Sequence, residues 1–347
     1  MKLAILQKKL RDEHIDCCFI FNTSLSKQDS NLNYFSGMTF AYGGLFITPS
    51  DAILLVPPME LLRARKSRIK KAVAVQDIFQ ALTPLLKGKK TAGLNMDFVS
   101  VAEHEKIRTS KTEVINIAAL LSELRETKTE SELDTIAKAC KLTDTIFLEL
   151  LRQLQEEKLH SPQEAYRFIL KKIIDADAKP AFKPILASGK DAASPHAEIS
   201  KTFARGFLVI DFGLQYKGYC SDMTRTVYIG KPSEKEKKFY DLVLQAQQKT
   251  IDFLEKTRDV SKINAFAKQQ LGKYAKYFIH SLGHGLGIDV HEPPFFRTAT
   301  IFKTNTVITI EPGIYIPHKL GIRIEDDVVL KKNAVVLTKS PKQLIVV

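Results

Sequence analysis

The sequence predicts an α/β domain with a mixed sheet over residues 1–124, then an α+β domain over 125–347 with helices packed on an antiparallel sheet. Three observations carry this reading. Residues 1–124 alternate between apolar runs of strand length and amphipathic stretches of helical spacing. Beyond residue 125, long capped helices stand apart from strand segments. Two of those strand pairs flank turn-forming residues, as β-hairpins do. A chain of 347 residues is also long enough for two cores.

In chain order, residues 3–13 form an amphipathic helix and 17–21 a strand. Residues 44–47 and 52–56 form a hairpin around Thr48-Pro49-Ser50-Asp51. Strands follow at 73–75, 91–94 and 114–117, and helices at 78–86 and 99–107. His14 and His104 fall on polar helix faces. LRETK, residues 124–128, marks the boundary. Thr129 then caps a helix with Glu132 closing a capping box, and the helix runs to about residue 158. Ser161-Pro162 with Glu164 starts a second helix, and Ser233 with Glu236 a third. A fourth covers 261–276. The strands of this half are 184–187, 207–212, 220–229, 306–311 and 322–330.

Composition narrows the function classes. Apolar content of 44% and charged content of 26% are those of an ordinary globular protein. No apolar run approaches the roughly 20 residues of a membrane span. The N-terminus reads as a helix rather than a signal peptide. Cys17, Cys18, Cys140 and Cys220 form no CxxC pair and suit a reducing, cytoplasmic setting. The net charge of +13 raises nucleic acid as a partner. Its densest cluster, Arg63, Arg65, Lys66, Arg68, Lys70 and Lys71, has no interleaved aromatics and reads as a solvated face, so neither nucleic acid nor membrane is expected.

The chemistry gathers in three stretches. In LVIDFGLQYKGYCSDMTRTVYIG, residues 208–230, a three-residue turn at Tyr216-Lys217-Gly218 places Asp211 and Asp222 nearly opposite one another. Their Cβ atoms would be about 5 Å apart on one face. In TVITIEPGIYIPHKLGIRIEDDVVL, Glu311 and Glu325 flank a turn within 317–321 centred on His318. Facing carboxylates repel unless a cation lies between them. The third stretch, IHSLGHGLGIDVHE, presents His284 between two glycines. Each residue alone has a plain structural explanation. Together, four carboxylates and one imidazole suit two divalent metals roughly 3.5 to 4 Å apart. Imidazole with carboxylates favours Mn, Co, Fe or Zn over Ca.

IDFG, SDMTRT, HSLGHGLGIDVHE, TIEPGIY and GIRIEDD resemble the motifs of the Xaa-Pro peptidases, the prolidase and aminopeptidase P group of the pita-bread metallopeptidases. The resemblance runs from about residue 125 to the end, and the first 124 residues resemble their creatinase-like N-terminal domain. It implies a pita-bread catalytic domain with Asp211, Asp222, His284, Glu311 and Glu325 as ligands of two divalent metals, Mn or Co before Zn or Fe. It implies a metal-bridging hydroxide as nucleophile and Glu311 as proton shuttle. His196 and His291 resemble the family's non-ligand active-site histidines. Arg323 and Tyr315 resemble residues that orient the ligands, and His280 resembles one near the substrate groove. The substrate implied is a proline-containing di- or oligopeptide, and the assembly a homodimer.

Prolidase activity, on Xaa-Pro dipeptides, is favoured over aminopeptidase P activity on Xaa-Pro-Yaa. A methionine aminopeptidase would lack the N-terminal domain, and a non-catalytic pita-bread binding module would lack the ligand set. Two departures stand out. Arg297 lies later in its loop than the arginine thought to hold the dipeptide carboxylate in prolidases. His318 occupies a turn position where the family commonly has a small residue.

Overall fold

The computed structural model describes residues 2–108 and 112–347. It divides into two compact units, Met1–Arg125 and Glu126–Val347.

The first unit is built on a six-stranded sheet in the order Lys71–Ala74, Ala52–Val56, Gly43–Ile47, Cys17–Asn22, Thr91–Leu94, Glu113–Asn116. The central Cys17–Asn22, Gly43–Ile47 and Ala52–Val56 strands run antiparallel. The outer strands join in parallel, so the sheet is mixed, as the sequence predicts. The hairpin turn closes through Thr48 N–H donating to Asp51 O at 2.8 Å. Phe19, Phe21, Phe46, Ile78 and Leu82 fill the core beneath it.

Some features depart from expectation. The helices Leu61–Ala64 and Ala118–Glu126 have no counterpart in the sequence reading, and neither has a helix at Ser30–Ser36, capped by the Asp29 side chain. Its apolar residues are too few to show a period, so the cap is the signal that was there to read. His14 is exposed but sits past the first helix, Lys2–Asp12, in a left-handed turn with φ 56°. In the basic cluster, Arg63 pairs with Glu60 at 2.6 Å and lies over the Phe40 ring, and Arg68 donates to the Tyr34 carbonyl.

In the second unit the ladders between strands run antiparallel, and the last residues add beside Tyr228 through a parallel bridge to Val346. Ile185–Ser188, Gly206–Phe212 and Met223–Ile229 form one ladder, and Thr306–Ile310, Asp326–Leu330 and Ala334–Val336 another. The helices Glu130–Gln155 and Pro162–Asp175 bury Phe147, Leu150 and Ile169 against Leu208, Ile210 and Phe212. Glu234–Phe253 and Val260–Leu271 bury Tyr240, Val243 and Ile263 with Ile310, Ile322 and Val328. The caps at Thr129, Ser161 and Ser233 form as their sequences predict. The last helix stops at Leu271, and a 3-10 stretch continues to Tyr277. No helix among the described residues is long and apolar enough to cross a membrane.

Both hairpins leave their ladders at carboxylates, the first at Asp222 and the second at Glu311 and Glu325, while Asp211 stays within its strand. The expected strand 220–229 is two pieces, Tyr219–Cys220 and Met223–Ile229, and 322–330 is Leu320–Arg323 and Asp326–Leu330. The first hairpin also turns differently. Tyr216 pairs with Tyr219, so the loop is the two residues Lys217-Gly218, with φ 48° and 86°. Positive φ at both positions is the turn that matches strand twist in two-residue hairpins. The register therefore shifts by two residues, and Asp211 faces Thr224 rather than Asp222. A shift of two keeps Asp222 on the same face as Thr224, diagonal to Asp211.

The second hairpin follows the sequence closely. Ile316 pairs with Leu320, Gly313 with Arg323 and Ile310 with Asp326, one register that sets Glu311 across from Glu325. His318 is exposed at the loop centre with φ 59°. This left-handed conformation explains why a small residue suits the position, and histidine is among the side chains that tolerate it. His318→Gly is expected to leave activity unchanged and to stabilise the unit by up to about 1 kcal/mol. Thermal unfolding of the two proteins checks this, and a clear loss of stability would contradict it.

Candidate metal centre

The site is assembled on the inner faces of the two hairpins. Asp211 comes from the Gly206–Phe212 strand, and Asp222 from the break before Met223–Ile229. Glu311 and Glu325 come from the matching breaks in the second hairpin. His284 arrives on the stretch 282–286, which lies along the Thr306–Ile310 strand like an added strand. Glu311 N–H donates to Leu282 O at 3.0 Å, Thr309 N–H to His284 O at 2.9 Å, and Leu286 N–H to Val307 O at 3.1 Å. Gly283 makes that approach possible, because a Cβ there would stand 2.1 Å from the Thr309 carbonyl oxygen. The glycine before the histidine thus serves the docking that aims it.

His284 Nδ1 lies 3.1 Å from the Gly285 carbonyl oxygen. That contact places the ring proton on Nδ1 and leaves the Nε2 lone pair facing Asp222 Oδ2 at 3.6 Å and Glu311 Oε1 at 3.5 Å. Burial, aided by His291, pulls the His284 pKa down to about 3, so the ring is neutral. Ligand atoms of Asp211, Asp222 and Glu325 lie within 4.8 Å of one another, as do those of His284, Glu311 and Glu325, and those of Asp222, His284 and His291.

The charge balance is incomplete without cations. Arg323 pairs with Asp211 Oδ2. Among the described residues, Asp222, Glu311 and Glu325 make no ion pair with lysine or arginine, and Asp211 Oδ1 and Asp222 Oδ1 have no hydrogen-bond partner. Burial, and then repulsion from Glu325 and Asp211, pushes the Asp222 pKa well above the carboxylate range. Burial likewise raises Glu311 to about 7, with Arg323 opposing and Asp211 adding. Buried like charges with free lone pairs are costly unless cations neutralise them. The donor set of oxygens and one imidazole fits two divalent metal ions.

Residues 134–332 match metallopeptidase family M24, and residues 2–127 match the Creatinase/Prolidase N-terminal domain. The chain belongs to metallopeptidase family M24. It is 36% identical to a Xaa-Pro dipeptidase of Pyrococcus furiosus, over 99% of either chain. It superposes on the prolidase of Pyrococcus horikoshii OT3 with a TM-score of 0.90, at 32% identity over 99% of each chain. It superposes on an X-Pro aminopeptidase of Thermotoga maritima MSB8 with a TM-score of 0.87, at 31% identity, covering 97% of this chain and 100% of that one. The fold of this M24 peptidase is therefore the creatinase-like N-terminal domain followed by the pita-bread domain, and it is a metal-dependent peptidase.

The carboxylates of the M24 peptidase open into a cavity of about 710 Å³. His196, His280, His291 and Arg297 line it together with Phe182 and Phe295. His291 is exposed and packs edge-on against His284, with ring centroids 4.1 Å apart. His196 is exposed. Tyr315 is buried, accepts from Arg323 Nη1 at 2.7 Å and meets His280 Nε2 at 3.0 Å.

The sequence reading missed the hydroxyls that fix the carboxylates. Thr224 Oγ1 accepts from Arg323 Nε at 2.9 Å and donates to Glu325 Oε2 at 2.6 Å. Thr309 Oγ1 accepts from His284 N–H at 3.1 Å and reaches Glu311 Oε1 at 3.2 Å. Both threonines sit two residues along a strand from a carboxylate, which was the available signal. Asp327, whose Oδ2 accepts from Asp222 N–H at 2.9 Å, was also passed over.

Proposed function

We propose that this M24 peptidase hydrolyses the peptide bond preceding proline and prefers Xaa-Pro dipeptides. Asp211, Asp222, His284, Glu311 and Glu325 would hold two divalent ions, Mn or Co. The observation that carries the reading is the convergence of four buried or half-buried carboxylates on one neutral imidazole, with one guanidinium in contact. The names of the Pyrococcus relatives supply the substrate class.

The ions would supply Lewis acidity and lower the pKa of water toward neutrality. Glu311 takes the proton from the attacking water and passes it to the leaving proline nitrogen. His291 and His196, on the cavity wall, donate to the carbonyl oxygen as charge develops there. Arg323 fixes Asp211, while its contact to Tyr315 sets its own orientation. Arg297 faces the same cavity despite its offset in sequence, which supports capture of a free C-terminal carboxylate.

The test is direct. Chelated protein is expected to lose turnover of Xaa-Pro, and added Mn or Co to restore it. Xaa-Pro should be cleaved with higher kcat/KM than Xaa-Pro-Yaa. The reverse order would replace the dipeptidase reading by the aminopeptidase one. Failure on both substrates, with no bound metal, would remove the proposal.

A further inference from the structure

Between His284 and His291 the chain makes a closed loop, residues 285–292. Its ends meet at a bridge between Gly285 and Glu292, with Glu292 N–H donating to Gly285 O at 3.0 Å. The Glu292 carboxylate turns inward and fills the loop. Its Oε2 accepts from Asp289 N–H at 3.3 Å. Its Oε1 lies where a Cβ on Gly287 would come within 2.1 Å, so the loop is wrapped tightly around that carboxylate. Lys128 reaches it from outside the loop, with Nζ 3.0 Å from Glu292 Oε1 and side chains only 2% and 3% exposed. Lys128 is itself anchored. Its N–H donates to Asn305 O at 2.8 Å, its Nζ also reaches Glu126 O at 3.2 Å, and Thr129 caps the following helix.

A buried ion pair is seldom a net gain in stability, because two desolvated charges offset their attraction. Its best-attested use is to fix one arrangement among several. Here the arrangement concerns His291, adjacent to Glu292, whose ring packs against His284. We propose that Lys128 is a positioning residue of the active site, acting through the Glu292 carboxylate to hold His291 at the cavity wall. The inference rests on the reading above in which His291 meets the substrate carbonyl. It explains why a lysine at the very start of the catalytic unit is buried against a loop more than 150 residues later in sequence.

The experiment uses the full chain with Lys128→Met, Lys128→Arg and the double variant Lys128→Met/Glu292→Gln. In metal-free protein carrying 13C-labelled histidine, the His291 resonance is assigned by its loss in His291→Asn. It is expected to shift in Lys128→Met and to return in Lys128→Arg. In metal-loaded enzyme, Lys128→Met should lower kcat on Xaa-Pro about tenfold to a hundredfold, with KM and bound metal unchanged, and Lys128→Arg should restore it. Where Lys128→Met fails to fold, the double variant leaves no charge unpaired and carries the same two measurements with the same expected losses. An unmoved His291 resonance overturns the link from Lys128 while leaving the proposed function intact. A moved resonance with unchanged kcat overturns the role of His291 in the reaction, and the positioning role with it.

Discussion

Asp222→Asn is expected to lower turnover of Xaa-Pro by more than about a hundredfold, beyond the range of residues that merely orient ligands, and to leave the metal-free protein no less stable than its parent. The two halves of this result have one cause. Asp222 is 4% exposed, and its Oδ1 has no partner among the described residues. Burial first, then Glu325 and Asp211, hold its pKa well above the usual carboxylate range. Burial and its acidic neighbours thus disfavour the ionised form in the metal-free protein, and a neutral amide of the same shape removes that penalty. When metal binds, the parent's carboxylate ionises and contributes a full charge, which asparagine cannot do. The rise in Tm on adding Mn or Co should accordingly shrink in the variant, since a ligand stabilises only as far as it binds. Thermal scans with and without metal, beside steady-state kinetics, check both halves. Turnover within about tenfold of the parent, with the metal-induced Tm rise intact, would take Asp222 out of the site.

How far the sequence led depended on what it had to specify. The alternating elements and three helix caps were legible because cap, first turn and period are all local. The Glu311–Glu325 hairpin was legible because a five-residue window, 317–321, bounds its turn, and the midpoint rule found its register. The Asp211–Asp222 hairpin was read two residues off. A three-residue loop would include Tyr216, whereas the Lys217-Gly218 pair alone makes the turn and leaves Tyr216 in the ladder. A two-residue error preserves the face, so the same carboxylates still converge. Contacts between distant segments were not legible. Thr224 with Glu325, Asp222 with Asp327 and Lys128 with Glu292 join residues more than 100 positions apart. Local sequence can mark a candidate, as the spacing of Thr224 from Asp222 does, but it does not name the partner, which is set by how the two hairpins and the 285–292 loop stack. The interruptions of both strands were hidden for a related reason. Apolar residues on both sides of Glu325-Asp326-Asp327 make residues 322–330 read as one strand, even though Ile324 and Glu325 leave the ladder.

Arg225→Met is expected to cause the largest loss of stability, about 3 to 5 kcal/mol, or roughly 10 °C in Tm for a unit of this size. Arg225 is 1% exposed and ties three segments together. Its Nη2 pairs with Asp326 Oδ1 at 2.7 Å, its Nε and Nη2 donate to Ser340 O at 3.2 and 3.1 Å, and its Nη1 donates to the Glu325 carbonyl. Burial penalises the Asp326 charge, yet Arg225 and Lys342 more than offset this and hold its pKa below the ordinary value. Methionine would fill much of the volume but leave Asp326 with Lys342, 2.6 Å away, as its remaining cation and the Ser340 and Glu325 carbonyls short of a donor. Lys342→Met should cost less, because the Lys342 side chain is 21% exposed and Arg225 remains in place. Adding Asp326→Leu to Arg225→Met should recover part of the loss, since no buried carboxylate is then left without its main partner. Because Arg225 holds the backbone of Glu325, metal affinity should fall together with stability in Arg225→Met and stay closer to the parent in Lys342→Met. Denaturant unfolding and metal titration of the three variants test the argument. An Arg225→Met protein within about 1 kcal/mol of the parent would show that the buried guanidinium is not what locks the Glu325 strand in place.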